Sequence, residues 1–139
     1  MGAQITWTLN VNVSDGPKMS ATDQVAVEAY DKISVDLAAG VQDKEVEVQP
    51  GGAGQVQFLL FKATKYHASD LTYSVGAVEP TKANRKKLDA LQLLIGGGAV
   101  ALLGAPPNKL FFYNDLTEDL TIDILVGRDA TPSPERVAA

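Results

Sequence analysis

The residues of this chain whose types and spacing invite chemistry fall into a few groups. His67 stands beside Tyr66 and close to Ser69 and Asp70, so a nucleophile, a base and a carboxylate share one short stretch. A hydrolytic triad needs those groups oriented from separate elements, whereas side chains this close lie on one loop, and no nucleophile-elbow motif accompanies them. His67 is therefore read as a surface-loop residue. Asp115, Glu118, Asp119 and Asp123 form the densest acidic cluster and carry the oxygen ligands that calcium takes. Their spacing is not that of an EF-hand loop and no glycine stands at its sharp turn, so they read as a solvated face, with no pocket signature for acid–base work. Neither Pro50-Gly51-Gly52-Ala53-Gly54 nor Gly96-Gly97-Gly98 leads into a Lys-Ser/Thr pair or a helix start, so both are turns rather than phosphate loops. Arg85-Lys86-Lys87, near Lys82, is the basic run, a solvated loop able to meet an acidic partner surface. No catalytic, cofactor-binding or metal-binding residue is assigned.

Composition narrows the classes further. The chain has 139 residues, 45% of them hydrophobic, with 12 Lys+Arg against 17 Asp+Glu, no cysteine and one histidine. That length is enough for a single core without disulfide or metal support. Without cysteine there is no disulfide framework, thiolate metal site or cysteine nucleophile, and one histidine removes His-rich zinc sites. A net charge of −5 argues against a nucleic-acid partner, whose phosphates would have to be neutralised. The opening MGAQITWTLNVNVS has neither a basic region nor a continuous apolar run, so no targeting segment or membrane span is expected there.

The elements that would position these residues are strands. Ile5, Trp7, Leu9, Val11 and Val13 alternate with Thr6, Thr8, Asn10 and Asn12, which puts one apolar and one polar face on a long strand. Asp15-Gly16-Pro17 supplies a turn. Between Thr22 and Leu37 the pattern predicts two short strands with a bend at Tyr30-Asp31-Lys32, and Glu45 to Val48 resumes the alternation. Gln55 to Thr64 becomes continuously apolar at Phe58-Leu59-Leu60-Phe61, as in a strand covered on both faces or lying at a subunit contact. Leu71, Tyr73 and Val75 form another strand. Leu91, Leu93 and Ile95 are predicted to pair across the glycine turn with Val100 and Leu102, and Leu110–Tyr113 and Leu120–Val126 complete the set. About nine or ten short strands without a convincing helix predict an all-β chain, an antiparallel sandwich or jelly roll. Residues 1–127 form one domain in this reading, and 128–139, with Thr131-Pro132-Ser133-Pro134, an extended C-terminal arm.

The succession YDKISVDLAAG, KEVEVQPGGAGQVQFLLFKAT, LTYSVGA, LLIGGGAVALLG and LFFYNDLTEDLTIDILVGRDATP resembles small β-rich structural proteins encoded among the virion genes of tailed bacteriophages, over most of residues 24–132. The resemblance implies a capsid decoration or cement protein, made in the host cytoplasm and carried on the virion. Its partners would be the major capsid protein or other virion subunits, and it would form a dimer or trimer of its own. It brings no catalytic motif and no defined site. A tail or head–tail connector subunit is the alternative within the virion, and a carbohydrate-binding β-sandwich the alternative outside it. Contacts are expected from Gln4, Ile5 and Trp7, from Arg85, Lys86 and Lys87, and from the arm residues Arg128, Pro132, Pro134, Arg136 and Val137. Nucleic acid, membrane and cofactors have no place in this reading.

Overall fold

Strict alternation over a long run makes the first element a hairpin. In the computed structural model, which describes residues 3–48, 56–67, 69–76, 85–104, 107 and 109–129, β1 (Ala3–Asn12) pairs antiparallel with β2 (Lys18–Val27). The register runs unbroken from Ala3 opposite Val27 to Asn12 opposite Lys18. The turn is closed by Val13 N–H donating to the Pro17 carbonyl at 3.0 Å, and Asp15 takes the left-handed φ of 56° that aspartate tolerates. This hairpin is a two-stranded sheet of its own.

Eight further strands follow: β3 (Ala29–Leu37), β4 (Lys44–Glu47), β5 (Val56–Ala63), β6 (Leu71–Val75), β7 (Lys86–Lys87), β8 (Gln92–Ile95), β9 (Lys109–Asn114) and β10 (Leu120–Arg128). They form two four-stranded sheets, β3-β10-β5-β8 and β4-β9-β6-β7, in which every neighbouring pair is antiparallel. Successive strands cross from one sheet to the other at each connection except β6 to β7. That order is a jelly roll.

Period-two alternation places the core. Val35, Leu37, Leu59, Phe61, Ile122, Ile124 and Val126 of the first sheet meet Leu71, Tyr73, Val75, Leu110 and Phe112 of the second. Phe61, Tyr73 and Phe112 pack as a trio with centroids 5.0 to 6.0 Å apart, the Phe61–Phe112 pair edge to face at 81°. Two polar side chains tie the sheets together. Asn114, fully buried, donates to the carbonyls of Leu37, Ala38 and Glu118 and accepts from Leu116 N–H. Gln92 accepts the Tyr73 hydroxyl at 2.7 Å and donates to the Lys87 carbonyl at 2.7 Å.

Two expectations are corrected. The bend between β2 and β3 falls at Glu28, and Tyr30 to Lys32 lie inside β3. Glu28 N–H is held by the Arg128 carbonyl and the Asp129 carboxylate, so a tertiary contact rather than local turn chemistry sets the break. The glycine hairpin does not form either. β8 pairs with β5, Leu94 opposite Leu59, because a long buried strand offers Leu94 a better partner than five local residues can. Gly96, at φ 90°, then opens a single helical turn, α1 (Gly97–Val100), and a 3₁₀ turn at Ala101–Leu103 that Gly104 ends in the left-handed region.

Candidate functional site

The hairpin has an apolar and a polar face, and its apolar face changes surroundings along its length. Residues directly opposite share a face, so Ile5 lies with Val25, Trp7 with Asp23, Leu9 with Ala21 and Val11 with Met19. At the root, Val25 and Val27 are buried and Ile5 half-buried. The socket for this root is Gly127 of β10, where an added Cβ would come within 2.6 Å of Ile5 Cδ1, 3.1 Å of Val27 Cγ1 and 3.2 Å of Phe58 Cβ. Only a residue without a side chain lets the hairpin lie so close to the sheet. Arg128 fixes the same corner, its Nη2 donating to the Asp31 carboxylate at 2.6 Å.

Beyond the root the apolar side chains are open. Leu9 is 46% exposed, Val11 44%, Val13 52% and Met19 72%. The polar face carries Thr6, Thr8, Asn10 and Asn12 against Gln24, Thr22, Ser20 and Lys18, with Thr22 and Thr8 hydroxyls 3.4 Å apart. The arm therefore presents one almost uncharged apolar strip, in which Asp23 is the single charge.

A second apolar surface lies on the outward face of the first sheet. The registers align Leu125 of β10, Leu60 of β5 and Leu93 of β8 in one row, and Gly127, Phe58 and Ile95 in the next. Leu60, Leu93, Leu125 and Ile95 are half-buried, while Tyr30, opposite Gly127, is exposed. Phe58 and Gly127 are buried beside the hairpin root. Lys32, opposite Leu125, and Lys62, opposite Asp123, border the leucine row.

The expected contact residues divide accordingly. Gln4 is exposed on the polar face, Ile5 belongs to the root socket, and Trp7 is half-buried with an enclosed Nε1 that has no hydrogen-bond partner among the described residues. Arg128, expected to begin the arm, instead ends β10 with its side chain buried, because its guanidinium is drawn onto Asp31. The structure thus brings Ile5 and Arg128 to one corner. Arg85, Lys86 and Lys87 are elsewhere, in the other sheet: Lys86 and Lys87 form β7, paired with Tyr73 and Thr72, and Arg85 lies 3.6 Å over the Tyr113 ring. The solvated-loop reading of this run is corrected to an edge strand with a cation packed on an aromatic face. Pro132, Pro134, Arg136, Val137 and the run from Pro50 to Gly54 lie outside the described residues.

None of the chemical candidates converges. His67 Nδ1 accepts the backbone N–H groups of Ser69 and Asp70 at 3.2 and 3.0 Å, so it is not the protonated nitrogen that a carboxylate orients in a triad. Asp115 accepts from Gln42, Glu118 pairs with Lys65, Asp119 caps Ala39 N–H and Asp123 accepts from Ser34. Each carboxylate is turned to a different neighbour, and among the described residues no three His, Cys, Asp or Glu side chains gather as a metal site. Nor, among them, is any helix long and apolar enough to cross a membrane. Burial raises the Tyr73 phenol far above its ordinary value; Tyr113 is raised too, by burial first and then by Asp43, with Ser74 and Arg85 opposing.

In comparisons with known proteins, no family model, no curated protein and no solved structure matches this chain. The residues that sequence reasoning missed are the outer ones, Leu9, Val11, Val13 and Met19, together with Gly127. Two signals were legible: an alternation that outlasts what a small core can cover, and a glycine inside a strand.

Proposed function

We propose that the protein is a structural subunit of a phage virion, a decoration protein that binds the assembled capsid shell and bridges neighbouring subunits. The observation that carries this reading is the apolar strip held out from a jelly roll, while the carboxylates of its densest acidic cluster, Asp115, Asp119 and Asp123, each accept from a different structural neighbour. Jelly rolls form capsid and lectin domains alike, so the fold alone does not choose the function. The sequence resemblance adds the virion context. Against the carbohydrate reading stands Trp7, which faces the root with its indole nitrogen enclosed instead of offering a flat platform.

The mechanism needs no chemistry. A protein that binds the closed shell and not its dissociated subunits stabilises the shell by RT ln(1 + [L]/Kd) per site, about 2.7 kcal/mol when its free concentration is a hundred times Kd. The protruding arm also favours a second reading, a head–tail connector or tail subunit, since a projection seated on the next copy closes rings. Copy number in purified particles, measured by quantitative mass spectrometry against the major shell protein, separates them. Many copies spread over the shell are the expected result. A few copies at one vertex indicate a connector, and absence from particles overturns the virion role.

A further inference from the structure

Among the described residues β3 is the last strand of the first sheet, paired with β10 on one side and with no strand on the other. Which main-chain groups this leaves open follows from Thr121. Its carbonyl accepts from Thr64 N–H and its N–H donates to Thr64 Oγ1, so the main chain at Thr121 is turned toward β5. Alternate residues of β10 turn the other way, so Leu120, Ile122, Ile124 and Val126 face β3, where they meet Leu37, Val35, Ile33 and Asp31. The N–H and C=O groups of Tyr30, Lys32, Ser34 and Asp36 therefore point outward from the sheet, and no described strand pairs with them. All four residues are exposed. The strand has nine residues and no proline, and its register with β10 is unbroken, so length, bulge and proline do not protect this edge. What it carries instead is charge.

We propose that the β3 edge pairs antiparallel with the β3 edge of a second copy, about a two-fold axis at Ser34, joining the two four-stranded sheets into one. Charge selects this register. Only residues whose main chains face outward exchange bonds, so the axis falls at a residue between Lys32 and Asp36. An axis at Lys32 sets lysine on lysine, one at Asp36 sets carboxylate on carboxylate, and axes at Ile33 or Val35 leave both charges without a counterpart directly opposite. At Ser34, Lys32 of each copy stands opposite Asp36 of the other, a favourable cross-strand pair made twice. Lys32 has no ion pair among the described residues, and Asp36 takes only the Thr121 hydroxyl there. The same register sets half-buried Ile33 against Val35 of the second copy on the inward face, and its three outward-facing pairs exchange about six main-chain hydrogen bonds.

The surrounding charges do not oppose it. On the outward face Asp123 accepts from Ser34 and stands opposite Lys62, so each copy brings two cations, Lys32 and Lys62, and two carboxylates, Asp36 and Asp123. Asp119, which shares a cleft with Asp36, adds to the pull on Lys32 of the second copy. On the inward side Arg128 holds Asp31, Lys109 lies 3.7 Å from Glu45, and Lys44 and Glu47 of β4 offset each other along the cleft between β3 and β4. Seven paired residues at about 3.4 Å give a seam of roughly 24 Å. A single strand-to-strand seam buries less than the ~1,000 Å² of a lasting interface, so the pairing is weak and concentration-dependent, held by main-chain bonds and selected by charge. Such pairing goes beyond shell binding and is measured without any shell.

Sedimentation velocity of the full chain from micromolar concentration to about 1 mM tests it, with K32D, D36K and an equal mixture of the two. Both positions are exposed, so the variants keep the fold, which circular dichroism checks. The wild type is expected to pass from monomer to dimer. Each variant alone sets like charges against each other at both ends of the seam, and its transition is expected to move about tenfold or more higher in concentration. Mixed, the two variants are opposite in sign at both facing pairs, and a heterodimer is expected in the wild-type range. A wild-type chain that stays monomeric throughout overturns the proposal, as does self-association that K32D and D36K leave unchanged, or a mixture that associates no better than its components. Charge-selected dimers of a protein absent from virions would sink the virion role and leave this interface standing; a monomer abundant on capsids would do the reverse.

Discussion

The root and the outer half of the β1–β2 hairpin share one alternation and one unbroken register, yet Val25 and Val27 are buried while Leu9, Val11 and Met19 are open. Nothing within the hairpin distinguishes them. The difference lies underneath: Gly127 and Phe58 receive the root, and no described residue receives the rest. Alternation therefore specifies which face is apolar, and a second surface decides whether that face is buried. Half-exposed leucine, valine and methionine side chains leave about 1 kcal/mol of burial each unrealised. An isolated two-stranded hairpin is marginal in water, so a long arm of this kind gains order from whatever covers it.

Perturbations of rank-ordered size sharpen this contrast. Phe61→Ala opens a cavity in the aromatic trio and is expected to destabilise the chain by about 3–5 kcal/mol in urea unfolding. Gly127→Val drives a side chain into Ile5, Val27 and Phe58, and a loss of about 1–3 kcal/mol is expected. Because Trp7 is the single tryptophan and neighbours the root, its emission should shift to the red in that variant. Unchanged emission would show that the root does not depend on the socket.

Alkaline pH acts next in size. Burial holds Tyr73 neutral above the ordinary phenol pKa of about 10, so the unfolded chain binds fewer protons there than the folded one. Stability is thus fully present below pH 10 and falls as pH rises beyond it, by about 1.4 kcal/mol at pH 11 from this residue. A urea midpoint flat between pH 9 and 11 contradicts it. Asp31→Ala removes the partner of buried Arg128, but Asp31 is itself half-exposed, so the expected cost is about 1 kcal/mol with faster exchange of the Glu28 amide. Smallest is L9S/M19S, expected to leave the stability of the dilute monomer within about 0.5 kcal/mol. A loss of 2 kcal/mol there would mean the outer half is already covered within one chain.

Much of the fold was legible because period two survives wherever one face is buried. β1, β5 and β10 could be read almost residue by residue, from the Ile5-to-Val13 alternation to the Leu120–Val126 strand. What failed were features set by distant residues. Leu91 to Leu103 looked like a local hairpin, but β5 claims β8, and the bend at Glu28 depends on Arg128 and Asp129, a hundred residues away in sequence. Asn114 could not be recognised as a latch, since its carbonyl partners lie at the end of β3 and in its own following loop. For the candidate site, the apolar strip was visible, whereas its uncovered length was not. Exposure is a property of the surface opposite, and that surface is written elsewhere.

Amide hydrogen exchange as a function of protein concentration tests the contrast most directly. Amides of residues 3–7 and 23–27 are expected to be strongly protected in dilute monomer at every concentration, and those of residues 8–22 to be weakly protected there. Protection of residues 8–22 that matches the root in dilute monomer would contradict it.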